Sequence, residues 1–174
     1  MDIRKTEMKD IEAVMQVINK AKNYLKQNNI DQWQEGYPCD ATIKEDIDCG
    51  SSYVGIIDGN VVGTIAITFE REEHYDCIRD GQWRNKNGVY GVIHRIAVDD
   101  SYKGKGIALQ LMNLAEELAD SSVKSIRIDT HKENKAMQAA IKKAGFEYCG
   151  LVTLPSGGER MTFEKLIEYK DKSI

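Results

Sequence analysis

The residues best suited to chemistry gather in one run, Ile93-His94-Arg95-Ile96-Ala97-Val98 through Asp99-Asp100-Ser101-Tyr102 to Lys103-Gly104-Lys105-Gly106-Ile107-Ala108. Past Gly106, apolar residues recur at helical spacing: Ile107, Leu111, Leu114, Ala115 and Leu118. A helix start presents backbone N–H groups without internal partners, and the helix dipole adds positive potential there. Two glycines let a ligand come close to that backbone, and Lys103 and Lys105 add charge. Such parts can cradle a diphosphate. An ordinary tight turn with solvated lysines has the same spacing, so the pair alone does not decide.

His94 lies just upstream, in an apolar, β-branched stretch suited to a buried strand. Under strict alternation His94, Ile96 and Val98 share one face, which sets the imidazole beside whatever the glycine pair holds. A neutral imidazole is a competent general base, and a histidine satisfied within a packed sheet is the plain alternative. A bulge in the strand would change that face assignment. Asp129 and His131 alternate at the end of another strand-like run, either as a second polar cluster at a site or as strand-end polarity capping the helix that Asn134 begins. Trp33 and Tyr37 are large aromatics in an otherwise polar loop, either pinning it to the core or walling a substrate pocket. Asp99 and Asp100 read as turn formers. His74, in a charged loop, reads as solvated.

The elements that position these residues follow from periodicity. Residues 2–7 read as a short edge strand. Asp10 suits an N-cap, with Ile11, Val14, Met15, Ile18, Ala21 and Leu25 on one helical face to Gln27. Thr42 to Cys49 reads as a short helix ending at Gly50. Ser51–Ile57 and Val61–Phe69 read as a hairpin around Asp58-Gly59-Asn60. Glu70 to Asn87 is charged and irregular and is expected to project from the sheet; loops this long are often functional. Val89 to Val98 forms the central strand, followed by a helix over 105–119 and a strand over 124–131, and parallel pairing of the two strands would make a right-handed unit. Asn134 opens a helix with Met137, Ala140, Ile141 and Ala144 on one face, closed by Gly145. Phe146–Leu151 and Arg160–Ile167 are the last strands, joined through Pro155-Ser156-Gly157-Gly158.

At 174 residues, one domain spanning 1–174 is expected, with enough chain for a substantial core. A net charge of −4 gives no reason to expect a nucleic-acid partner. No stretch approaches a membrane span and the first residues do not read as a secretory signal, so no membrane partner and a cytoplasmic setting are expected. Cys39, Cys49, Cys77 and Cys149 lack the close pairing of a zinc site and read as free thiols; no metal is expected. A P-loop spacing is missing, and Leu109 stands where a dinucleotide fold wants a third glycine.

The whole order of elements resembles the GNAT superfamily of acyl-CoA-dependent N-acyltransferases. Its most specific carriers are Ile96-Ala97-Val98 leading into Lys103-Gly104-Lys105-Gly106, and Asn134 followed eleven residues later by Gly145-Phe146. The resemblance implies an α/β (α+β) fold with a central mixed, mostly antiparallel twisted sheet of six to seven strands flanked by about four helices. It implies coenzyme A binding: backbone N–H groups of Lys103 to Ala108 on the diphosphate, the backbone of Ile96 and Val98 pairing with the pantetheine arm like an added strand, and Asn134 contacting the cofactor. The implied activity is transfer of the acetyl group of acetyl-CoA to a primary amine of a small molecule or peptide by direct attack. A non-catalytic acyl-CoA-binding or regulatory module on the same fold is the alternative. Some family members use a histidine at the His94 position. Two departures stand out: Ser101 replaces the usual Gln or Arg three residues before the first glycine, and Ile141 stands where many members carry a thiolate-protonating tyrosine. Tyr148 is the substitute candidate for that acid. Trp33, Tyr37 and His131 are the expected acceptor-side residues. The acceptor's identity stays open, as does the oligomeric state; homodimers are common in the family.

Overall fold

The computed structural model describes residues 1–169; the last five residues of the expected 1–174 domain lie outside them. In chain order the elements are β1 (Asp2–Lys5), α1 (Ile11–Gln27), α2 (Asp40–Asp48), β2 (Ser52–Ile57), β3 (Asn60–Thr68), β4 (Val89–Val98), α3 (Ile107–Leu118), β5 (Val123–Thr130), α4 (Lys135–Lys143), β6 (Glu147–Thr153) and β7 (Glu159–Leu166). All seven strands join one mixed sheet in the order β1-β2-β3-β4-β5-β7-β6, in which β4 and β5 are parallel and the other neighbours antiparallel. This is the expected fold class. Among the described residues no helix is long and apolar enough to cross a membrane.

Alternation along the strands divides the core between two faces. Ile65, Ile67, Ile93, Ile96, Ile126 and Ile128 pack against Leu111 and Met112 of α3 and Ile141 of α4. On the other face Val14 and Ile18 of α1 and Ile43 of α2 cover Val54. Beside them, Tyr75 and Trp83 pack on Val92, Cys149 and Val152. The 70–87 segment therefore does not project. It folds back over the sheet because its buried aromatics need cover and because Glu164 holds it. That fully buried carboxylate accepts from the backbone N–H groups of Arg84 (2.6 Å) and Asn85 (3.0 Å), from Ser125 Oγ and from Arg127 Nε, both at 2.8 Å. Arg127 in turn stacks on Trp83 and Tyr90.

Three local features differ from the expected ones. Asp10 does not cap α1 with its side chain; it closes a 3₁₀ turn, Met8–Asp10, accepting from Glu7 N at 2.8 Å and pairing with Arg4 at 2.6 Å. α2 starts two residues before Thr42, because Thr42 Oγ1 accepts from the N-cap N–H of Cys39 and so lies inside the first turn. The third difference is in β4. Arg95 has φ +50°, and the β3–β4 register slips there, with Thr64 opposite Ala97 but Ala66 opposite His94. This bulge reverses the side-chain phase. Ile96 faces α3 and α4, whereas His94 follows Val92 onto the face of Tyr75. His94 and Ile96 do not share a face.

Candidate functional site

The bulge also ends the sheet locally. The β4–β5 ladder stops at Ile93 opposite Ile128, although β4 continues to Val98 and β5 to Thr130. Beyond that point the two strands part, and the β5-facing edge of Ile96–Val98 has no strand partner among the described residues. Two cavities open at the gap and share Gln32, Trp33, Ile96 and Met137 as lining residues.

The first cavity, about 330 Å³, is lined by Ile96, Ala97, Val98, Lys103, Gly104, Gly106, Ile107, Ala108 and Asn134. These are the expected cofactor residues except Lys105, whose ammonium lies over the Tyr102 ring instead. Gly106 is the N-cap of α3 and, with φ +77°, takes the left-handed conformation; Gly104 does the same at φ +78°. No side chain caps α3, and a Cβ at either glycine would meet nothing within 4 Å. The first N–H groups of α3 thus face open space at the positive end of the dipole, with room for a ligand of diphosphate kind. Asp99 braces this turn: it accepts from Ser101 N at 2.9 Å and from Lys20 of α1 at 2.6 Å, which holds its carboxyl below the usual range. Asp99 is a turn former, as expected. Asn134 caps α4, accepting from Met137 N, and donates to Gln32 Oε1 at 3.0 Å. Ile141 is fully buried in the core and lines neither cavity.

The second cavity, about 830 Å³, is the more polar of the two. Its lining includes Trp33, Tyr37, Glu72, His74, His94, Arg95, Asp129, Thr130 and Arg160. His94 Nε2 lies 3.1 Å from Glu72 Oε1 and 3.4 Å from Thr68 Oγ1. The hydrogen bond to His94 is the main cause that holds the Glu72 carboxyl below its ordinary range, against the opposing effect of burial. In a neutral imidazole, a carboxylate at Nε2 favours the tautomer with the proton on that nitrogen and the lone pair on Nδ1. Glu72 is set in place by its own N–H, which donates to Tyr90 Oη at 3.0 Å, and it also approaches His74 Nδ1 at 3.4 Å. His74 is not solvated: its Nε2 is buried without a partner. Deeper in, Tyr75 donates to Asp129 Oδ2 at 2.7 Å; burial first, then the Asp129 charge, push the Tyr75 phenol well above its ordinary pKa. Arg95 is bidentate to Asp46 at 2.6 Å and donates to Tyr37 Oη at 2.7 Å, which ties the aromatic loop to the bulge.

Trp33 and Tyr37 therefore do reach the site, Trp33 at the junction and Tyr37 in the polar cavity alone. His131 lies one residue past β5 and lines neither cavity; its Nδ1 accepts from Glu133 N at 3.2 Å in the turn before α4, and the cap of that helix is Asn134 rather than His131. Burial, then the nearby Arg160 charge, depress its pKa. Tyr148 is on the edge strand β6, half exposed, edge-on to Phe163, and lines neither cavity. The expected acid is not at the site, because β6 is two strands removed from the gap. Glu72, Arg160 and Thr130 were not singled out from the sequence. Glu72 sits in a run of charges with nothing local to distinguish it. Among the described residues no group of three or more His, Cys, Asp or Glu side chains is placed to hold a metal ion.

A profile of the acetyltransferase (GNAT) family matches residues 17–146. No curated protein matches. Among solved structures, a GNAT-family acetyltransferase from Streptococcus agalactiae 2603 is 34% identical over 97% of this chain and 96% of its own, with a TM-score of 0.88. A GNAT-family acetyltransferase from Listeria monocytogenes 4b F2365 is 20% identical, covering 95% and 94%, with a TM-score of 0.69. The aminoglycoside acetyltransferase AAC(6')-Ib, solved with ribostamycin and coenzyme A, is 21% identical over 94% and 92%, with a TM-score of 0.67; at that identity the likeness is one of fold.

Proposed function

Since this chain belongs to the acetyltransferase (GNAT) family, we propose that it transfers the acetyl group of acetyl-CoA to a primary amine of a small molecule or peptide. The observation that carries the reading is the junction at Ile96. There a cavity built on a bare helix N-terminus meets a polar cavity holding a histidine–carboxylate pair.

On this reading the backbone N–H groups of the Lys103–Ala108 turn hold the diphosphate, and the unpaired edge of Ile96–Val98 takes the pantetheine amides as an added strand. Bound there, acetyl-CoA supplies a thioester: the amine N–C bond forms, the C–S bond breaks, and the electron pair goes to sulfur. The chain's own part is to orient the amine and remove its proton. His94 Nδ1 accepts that proton, directly or through a water, and Glu72 at Nε2 stabilises the imidazolium that results. A backbone N–H at the end of β4 is the donor for the developing oxyanion. No acid is required of Tyr148 or of position 141. A free thiol has a pKa of about 8.5, so its thiolate leaves readily near neutral pH.

The test is thiol release on mixing acetyl-CoA with a broad amine panel, alongside calorimetry of acetyl-CoA alone. Release with some amine is the expected outcome. Binding without turnover on any amine would favour the non-catalytic module, and no binding at high concentration would refute the reading altogether.

A further inference from the structure

The polar cavity has a second end that the proton transfer does not use. Of the seven arginines in the chain, six are in ion pairs: Arg4 with Asp10, Arg71 with Asp76, Arg79 with Glu159, Arg84 with Glu147, Arg95 with Asp46 and Arg127 with Glu164. Arg160 is the exception. It stands near the start of β7, beside the 154–158 turn, and lines the cavity. Among the described residues no carboxylate lies within 4.0 Å of it, and its hydrogen bond is one from Nη1 to the neighbouring Glu159 carbonyl at 3.0 Å. Burial is the main cause lowering its pKa, opposed by the more distant charges of Asp129 and Asp31.

A half-buried guanidinium without a carboxylate partner is unfavourable until an acceptor arrives. Glu72, at His94, attracts an ammonium. Arg160, whose opposite charges Asp129 and Asp31 lie beyond ion-pair distance, wants an anion. β4 and β7 are two strand spacings apart, roughly 10 Å between backbones where β4 and β5 are paired and more where they part. Two inward-reaching side chains shorten that to the span of one small molecule.

We propose that the acceptor is a carboxylate-bearing amine, of amino-acid type, whose carboxylate binds Arg160 while its amine is directed to His94. The assignment rests on the acetyl-transfer reading above. A planar guanidinium meets a carboxylate through two parallel N–H···O bonds, which fixes orientation as well as affinity. The pair also separates acceptors by charge pattern: a diamine of the same length would put an ammonium against Arg160.

The experiment compares matched acceptors with acetyl-CoA: a series of amino acids with increasing amine-to-carboxylate distance, the corresponding amides, and the corresponding simple alkylamines. Losing one charge-assisted hydrogen-bond contact corresponds to about 10- to 150-fold. Carboxylate acceptors of the best length are therefore expected to exceed their amides by about 10-fold or more in kcat/KM, mostly through KM. Arg160→Gln is expected to erase that preference while leaving the KM for acetyl-CoA and the melting temperature near wild type, and Arg160→Lys to restore part of it. Amides or alkylamines that react as well as the acids overturn the assignment. So does Arg160→Gln if it lowers all acceptors alike. Should no amine release thiol, the failure lies in the catalytic reading. Calorimetry of the same amino acids then decides this one: binding to wild type that is lost in Arg160→Gln supports it, and no binding, or equal binding, overturns it.

Discussion

Gly106 and Gly59 offer a matched pair of perturbations that separates backbone strain from ligand contact. Both glycines take the left-handed conformation, at φ +77° and +78°, and a Cβ added to either would meet no atom within 4 Å. In the free protein, alanine at either position thus incurs the same conformational cost, about 1–2 kcal/mol, with no clash. In a chain of this size each kcal/mol lowers the melting temperature by about 2–4 °C, so both variants are expected to melt roughly 2–8 °C below wild type. Their ligand binding should part company. Gly59 turns the β2–β3 hairpin and lines neither cavity, whereas Gly106 lines the smaller one. A methyl at Gly106 occupies the open space from which a diphosphate would approach the first N–H groups of α3. Loss of one hydrogen bond to a charged group is worth about 1.5–3 kcal/mol, or about 10- to 150-fold in Kd. Isothermal calorimetry of acetyl-CoA against Gly59→Ala and Gly106→Ala, with melting curves for both, reads the two effects separately. Equal affinities for the two variants, with equal losses of stability, would refute the placement of the diphosphate at this turn.

The remaining expectations concern the acceptor side and the core beneath it. His94→Gln should lower kcat/KM for the amine by about 10²–10⁴-fold and leave calorimetric acetyl-CoA affinity unchanged, because His94 lines the polar cavity alone; a wild-type rate excludes it as the base. Glu164→Gln breaks a fully buried ion pair, a loss of about 3–5 kcal/mol, and should lower the melting temperature by roughly 6–20 °C; a drop under about 2 °C in calorimetry would mean that the 84–85 segment is anchored elsewhere. Glu72, Asp10 and Asp99 all have depressed carboxyl pKa values, so their contribution is complete above the unfolded range near about pH 4 and is lost as pH falls through the folded values. Melting temperatures flat from pH 7 to about pH 5 and falling below about pH 4 are expected, and a flat profile to about pH 3 contradicts the pairings. Burial raises the Cys149 thiol to about 11, whereas exposed Cys39 is lowered by its hydrogen bonds to Thr42. Timed alkylation followed by mass spectrometry should modify Cys39 ahead of Cys149, and the reverse order would contradict both environments.

The turn proposed to hold the cofactor was legible in the sequence as a local geometry, because its requirements are local. A strand end, a turn built on Asp99, two glycines with positive φ and a helix start all fall within sixteen residues, and each is dictated by its neighbours in the chain. The acceptor half is assembled from residues that have no local relation. Glu72 reaches His94 through a segment whose cover depends on Glu164, eighty residues beyond Arg84. Tyr75 meets Asp129 across fifty-four residues of sequence. Nothing in the composition of Glu70-Arg71-Glu72-Glu73 distinguishes the one carboxylate that turns inward. A charge-rich segment reads as projecting unless Tyr75 and Trp83 are recognised as its buried side.

The bulge at Arg95 shows how the two halves depend on each other. Arginine at φ +50° is unfavourable in isolation, by an amount on the order of 1 kcal/mol. It persists here because Asp46 of α2 and Tyr37 of the aromatic loop both bind its guanidinium. Those partners come from 49 and 58 residues away in sequence, so alternation along β4 could not reveal the kink. Its consequence is the central one for the site. Without the extra residue, β4 would continue its ladder with β5, the edge of Ile96–Val98 would be closed, and His94 would point to the same side as Ile96. With it, the strand edge opens on the α3 side and the imidazole turns to the α1 side. The two cavities then meet at Ile96 with the histidine on the acceptor side of the gap. On the acetyl-transfer reading proposed above, the arrangement puts a base where an amine must lose its proton and keeps it out of the cavity that the long cofactor would fill.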